Sequence, residues 1–365
     1  MNPLSIIMLV FSLIAAVDRI FGNKLGLGRE FERGFMMLGP MALSMIGMIV
    51  IAPGIAQFCM PALDFLYNTF GVDPSLIPAL LFANDMGGAP LAVEVAKNDS
   101  VGMYNAMVVT ATMGATVSYS IPLSMSCVKK EKHRELMLGL LCGIVTIPVG
   151  GLVAGLFSDV PLRLMLLNLL PLIIFSLILA VGLLYFPEAS IRVFSIFGWL
   201  IKAIITVGLG LGVLKFVTGI ELIKGLDSIE EASAICLNAA VVLSGAFPLV
   251  RVVSQILAKP MSRVADSLQI NKTSAMGLIS SLATNTTTFE MMNDMDPKGT
   301  VLNSAFAVSG AFTFAAHLAF TLAFCPDYLP LVITAKLVAG FSSLFFAALI
   351  YRRMGKTLGS EASVL

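Results

Sequence analysis

Long apolar runs, separated by short charged clusters, set the pattern of this chain. Nine of them can cross about 30 Å of hydrocarbon at roughly 20 residues each: Pro3–Phe21, Phe35–Ala52, Gly102–Cys127, Leu136–Phe157, Leu162–Phe186, Phe194–Thr218, Ala232–Ala258, Thr300–Phe324 and Leu329–Tyr351. Two further runs, Leu76–Ala96 and Ser274–Met292, are apolar at both ends and polar in the centre. The pattern predicts an all-α polytopic membrane protein, since within a bilayer a helix satisfies its own backbone donors and acceptors. The first run has no basic leader and meets Asp18-Arg19 directly, so it reads as a retained span rather than a cleaved signal. The mixed stretches Pro53–Phe70 and Pro260–Ile270 read as interfacial helices leading into the two interrupted runs.

Loop charges decide what the interrupted runs do. Lys24, Arg29 and Arg33 place the first loop inside, which puts Asp64 and Asp73 outside. A single crossing by Leu76–Ala96 would carry Lys129-Lys130-Glu131-Lys132-His133-Arg134, the most basic loop, to the outside. If both interrupted runs dip in and return as re-entrant hairpins, that loop lies inside, together with Lys259, Arg263, Lys272, Arg352, Arg353 and Lys356. The acidic Glu221–Glu231 loop then lies outside. Hairpin limbs of about ten residues reach about 15 Å, so their tips meet near the midplane.

The chain also resembles itself at an offset of about two hundred residues. Leu81-Phe82-Ala83-Asn84 answers Leu282-Ala283-Thr284-Asn285, and Tyr104-Asn105-Ala106 answers Leu302-Asn303-Ser304. With dipping hairpins the partners have opposite orientation, which makes an inverted repeat of the kind secondary transporters use. The expected organisation is a first repeat over 1–160, a linking helix over 161–192, a second repeat over 193–356 and a cytoplasmic tail over 357–365.

Composition narrows the function. Of 365 residues 58% are hydrophobic and 12% charged, against about a quarter charged in globular proteins. A net charge of +1 without a basic face gives no support for nucleic-acid binding. Cys59, Cys127, Cys142, Cys236 and Cys325 are scattered, with no metal-ligand spacing, and no metal or cofactor is expected. There is no nucleophile elbow, HExxH or phosphate loop, so the chain does not read as an enzyme.

Candidate chemistry lies at the two tips. Asp85, beside Asn84 and followed by Gly87 and Gly88, is a carboxylate in an apolar run and a partner for a cation. Its competing use is to cap the second limb. The second tip offers Asn285, Thr286 and Thr287, uncharged groups suited to a hydroxyl or a partly dehydrated ion, although threonines in apolar helices also bond back to their own turn. His317 falls inside a span where Tyr119 falls in the first repeat. Glu94 and Glu290, within the hairpin limbs, are candidates for proton or cation coupling. Lys336 needs a partner or a water cavity, and a structural ion pair is its expected use.

At these residues the sequence resembles the EutH-type ethanolamine permeases of bacterial ethanolamine utilisation. The matching stretches include Ala15-Ala16-Val17-Asp18-Arg19-Ile20, Asp85-Met86-Gly87-Gly88, Gly143-Ile144-Val145-Thr146-Ile147-Pro148, Asn168 with Pro171, and Ala305-Phe306-Ala307-Val308-Ser309 with His317. The resemblance implies passage of ethanolamine across the bacterial cytoplasmic (inner) membrane, with lipid as surroundings and a homodimer as a candidate assembly. It departs from the family pattern at Thr286-Thr287-Thr288, at Ala316 and at Glu290, all around the expected site. The resulting expectation is alternating access with ethanolammonium held between the tips, by an elevator-like motion. An ion-coupled carrier of another small amine or amino acid, a passive channel for the neutral amine, and an anchor or receptor without transport stand as alternatives.

Overall fold

The computed structural model describes residues 3–361, apart from the side chains at 257–262, 264 and 354–361. Among the described residues it is all helical, with no strand. Eight helical stretches among the described residues are long and apolar enough to span a membrane: Pro3–Ile20, Leu27–Phe70, Asp99–Cys127, Lys130–Leu156, Leu162–Tyr185, Pro187–Thr218, Ile229–Ile256 and Pro326–Arg353.

The ninth expected span, Thr300–Phe324, is not one helix. It is Pro297–Gly310 and Ala316–Phe324 joined by an unwound stretch, residues 311–315. Phe312 there has φ +59°, a left-handed conformation rare for a bulky side chain. The backbone N–H of Phe312 donates to Ser281 O and that of Phe314 to Leu282 O, both at 3.0 Å. Donors that helix geometry would have paired within the span are satisfied by the neighbouring segment, so the break leaves them no deficit.

The stretch Pro53–Phe70 also differs from its expectation, because it continues one helix, Leu38–Phe70. Near Pro53, Val50 O accepts from Asp227 N at 3.1 Å, which ties the helix to the loop before Ile229–Leu268. The stretch from Pro260 likewise continues Ile229–Leu268, with most of its leading side chains outside the described residues.

Each interrupted run is two short helices with a break between them. Leu76–Leu81 and Gly88–Val95 flank the tip Asn84–Met86, and Lys272–Ala283 is followed after Thr284 by Asn285–Met291. Both runs are fastened at their bases by an aspartate. Asp73 Oδ2 accepts from Lys97 N (3.1 Å) and Asn98 N (3.0 Å), while Oδ1 accepts from Ser75 N (3.0 Å). Asp296 Oδ1 accepts from Asn271 N and Ser274 Oγ, both at 2.8 Å. The entry and exit of each run therefore lie side by side. A buried asparagine locks each base to the next helix: Asn105 Nδ2 donates to Ser75 Oγ (2.9 Å), and Asn303 Nδ2 donates to Ser274 O (2.8 Å).

Small residues let the helices approach closely, as lipid-embedded packing requires. A Cβ on Gly47 would collide with Ile205 O, one on Gly208 with Gly47 O, and one on Gly150 with Ala335 O. The stretch Asp99–Cys127 is the most enclosed, with 83% of its apolar window buried against 17% for Pro3–Ile20. It contains two π-helical segments, Asn105–Gly114 and Thr116–Ser120.

Candidate functional site

The first tip turns because Gly87 sits at φ +84°, a left-handed position natural to glycine, packed where a Cβ would strike Met48. Asn84 is fully buried, and its Oδ1 accepts from Asp85 N at 3.0 Å. Gly88 packs against Phe82 O and Ala83 O, where a Cβ has no room. This turn points the Asp85 carboxylate into a cavity of about 260 Å³ bounded by Met37, Pro40 and Met41 on one side and Tyr119, Phe312 and His317 on the other.

His317 Nε2 lies 3.9 Å from Asp85 Oδ1, and the two side chains are 3% and 25% exposed. The break at residues 311–315 places His317 in the first turn of Ala316–Phe324 rather than mid-span. The Phe312 ring lies 5.2 Å from the His317 ring and 5.5 Å, edge-on, from the Tyr119 ring. Tyr119 Oη meets Thr286 Oγ1 at 3.2 Å, which ties this wall to the second tip. The cavity thus combines one carboxylate, an imidazole and two aromatic rings, a composition that holds a small organic cation by charge, by ring faces and by apolar contact.

The other expected site residues divide. Asn285 is fully buried, and its Nδ2 donates to Ser120 Oγ (2.8 Å) and Ala307 O (3.2 Å). Thr287 is exposed to a separate cavity of about 480 Å³ that also holds Glu30, Arg33 and Arg251. Glu94 and Glu290 are exposed, and neither lines the Asp85 cavity. Lys336 has no carboxylate within ion-pair distance among the described residues, and donates instead to Ala111 O at 2.7 Å. A larger cavity of about 510 Å³, walled by Ile51, Phe58, Leu81 and Phe82 among others, has almost no polar surface and suits lipid chains rather than a charged solute.

Phe312 was invisible as a site residue in the sequence, an apolar residue in an apolar run. Tyr119 carried one signal, its place opposite His317 in the internal repeat.

Residues 2–350 match the family described as Ethanolamine utilisation protein, EutH. The chain is 37% identical to the probable ethanolamine permease EutH of Listeria monocytogenes, over 96% of this chain and 94% of that protein. It is 36% identical to the protein of the same name in Salmonella typhimurium, over 94% of each. Similarity also extends to the uncharacterized protein YxeR of Bacillus subtilis, at 34% identity over 94% of this chain and 92% of that protein. No solved structure matches the chain.

Proposed function

The chain belongs to the EutH ethanolamine utilisation family, and from that premise we propose that it carries ethanolamine across the cytoplasmic membrane as the ammonium form. The observation that carries the reading is the Asp85 carboxylate facing an aromatic-walled cavity between broken helices. The ammonium pairs with Asp85 and lies against the faces of Tyr119 and Phe312. The hydroxyl end is held by Tyr119 Oη, which in turn meets Thr286 Oγ1 at 3.2 Å. One charge-assisted hydrogen bond contributes about 1.5–3 kcal/mol, enough for a weak complex that forms and releases readily.

On this reading the runs at Leu76–Ala96 and Ser274–Met292 are re-entrant hairpins in an inverted repeat. Their fastened bases support it, because a run whose ends are joined by Asp73 or Asp296 returns to the side it left. The two hairpins then carry the site past the bilayer midplane, in alternating access, with the C-terminus cytoplasmic.

The test is uptake of labelled ethanolamine by proteoliposomes at low concentration and about pH 7, where the amine is still protonated and a carboxylate is charged. Asp85→Asn is expected to lower uptake at least tenfold, in line with the loss of one charged contact. Uptake equal to that of the unaltered protein would sink the assignment.

A further inference from the structure

Lys336 is the charged side chain that this reading leaves without a task. It is 1% exposed on the helix Leu329–Glu361, with one of its three N–H donors directed at Ala111 O. An ammonium so placed in the interior of a membrane protein is among the costliest arrangements a sequence can hold, and a Met or Leu would fill the same volume without that cost. Packing therefore does not account for it.

Its position is specific. Ala111 stands four residues before Ala115, which lines the Asp85 cavity, so the Lys336 head group lies behind the cavity wall. From there its charge acts on both Asp85 and His317. The elements packed around Lys336 bring few other titratable groups. Lys130–Leu156 meets this helix at Gly150, where a Cβ would strike Ala335 O, and its charged residues stand at the far end. Pro297–Gly310 meets it at Gly340, with Lys298 at the opposite end. Asn105–Gly114 carries no titratable side chain, Tyr104 just before it donates to Gly151 O, and Ala316–Phe324 contributes His317. Asp327 and Tyr328 lie more than two helical turns away along the chain. Among the described residues, Asp85 is the carboxylate whose field reaches Lys336, across more than ion-pair distance.

Resting on the transport reading above, we propose that Lys336 and the substrate ammonium alternate as the counter-cation of Asp85, so that each ethanolammonium bound releases one proton and the protein exchanges substrate for protons. A single carboxylate in a low-dielectric site balances one positive charge, and two cations beside it repel each other strongly. In the empty site the Lys336 ammonium faces Asp85. When ethanolammonium enters and pairs with the carboxylate, one N–H bond of Lys336 breaks and its proton leaves for water through the cavity. The neutral amine keeps its remaining hydrogens and can still donate to Ala111 O. After the substrate departs on the other side, Lys336 takes a proton from that side. One positive charge enters and one leaves, so the site keeps its net charge through the cycle. His317, 3.9 Å from Asp85, stays neutral beside either cation for the same reason.

The experiment is calorimetric titration of the purified full-length protein with ethanolamine, in buffers of differing ionisation enthalpy, between about pH 5 and 8, where histidines and buried lysines titrate. For the unaltered protein close to one proton should be released per ethanolamine at the acidic end, with binding tightening about tenfold per pH unit there. Lys336→Met and Lys336→Gln should remove both the release and the slope. Lys336→Arg, whose guanidinium does not deprotonate, should weaken binding at least tenfold with no proton released. A proton count near zero in the unaltered protein overturns the proposal. So does a pH slope that survives in Lys336→Met or Lys336→Gln, since it would then belong to Asp85 or His317. Absence of any ethanolamine binding by the unaltered protein removes the transport reading itself, whereas binding without proton release removes the exchange alone.

Discussion

At the scale of single residues, Asp85 and Phe312 show two kinds of position lining the candidate site, and only one of them announces itself. A carboxylate in an apolar run has no use for packing, so the sequence alone singles out Asp85. Phe312 is as apolar as its neighbours, and its role comes from φ +59° and from carbonyl partners at Ser281 and Leu282, distant in sequence. Two substitutions separate its backbone from its ring. Asparagine tolerates left-handed geometry and valine does not. Phe312→Asn should therefore leave the melting temperature of the detergent-purified protein nearly unchanged while lowering ethanolamine uptake. Phe312→Val should lose uptake and also destabilise the fold by about 1–3 kcal/mol. Equal melting temperatures for the two variants would show that the backbone at 312 carries no such constraint.

At the scale of elements, the two interrupted runs were legible because Asn-Asp and Asn-Thr tips stand out from apolar limbs. Their fastenings were harder to see. Asp73 and Asp296 look like ordinary loop acids, and only the fold reveals that each joins the two ends of a run. The π-helical winding of Asn105–Gly114 and the break at 311–315 were not legible at all, and the break depends on carbonyls at Ser281 and Leu282, distant in sequence. The fastenings make a local prediction. Asp73→Asn turns an acceptor of charged hydrogen bonds into a weaker neutral one, and each bond lost is worth about 1.5 kcal/mol or more. Amide hydrogen exchange at Lys97 and Asn98 should then accelerate about tenfold or more, with little change in Leu162–Tyr185. Uniform acceleration throughout the chain would mean that the aspartate supports the whole fold and not the base of one run.

At the scale of the whole molecule, apolar length located the long runs but misjudged the form of one, Thr300–Phe324, which is a broken helix, because hydropathy does not report a break whose donors are satisfied elsewhere. Burial then sorts the spans. Asp99–Cys127 forms the enclosed centre, while Pro3–Ile20, Leu162–Tyr185 and Pro187–Thr218 have only 17–22% of their apolar windows buried and turn large side chains outward, as lipid-facing helices do. Sidedness is testable directly. In a cysteine-free background, Lys130→Cys should be labelled by an impermeant maleimide only when the cytoplasmic face is open, and Glu221→Cys from the outside of intact cells. The reverse pattern, Lys130→Cys labelled from outside and Glu221→Cys only with the cytoplasmic face open, would remove the dipping arrangement of the first run, because a single crossing there turns both positions over. The placement of Asp85 against His317 and Lys336 has a further consequence, in the order of synthesis. The acid is made early, whereas the histidine and lysine emerge from the ribosome with the last quarter of the chain. Until then the first tip has a carboxylate and no companion, so the nascent protein holds an unfinished polar defect that only its own C-terminal part can close. Chains interrupted before residue 317 should thus be recognised as incomplete and removed by membrane quality control, even though most of their helices have already been inserted.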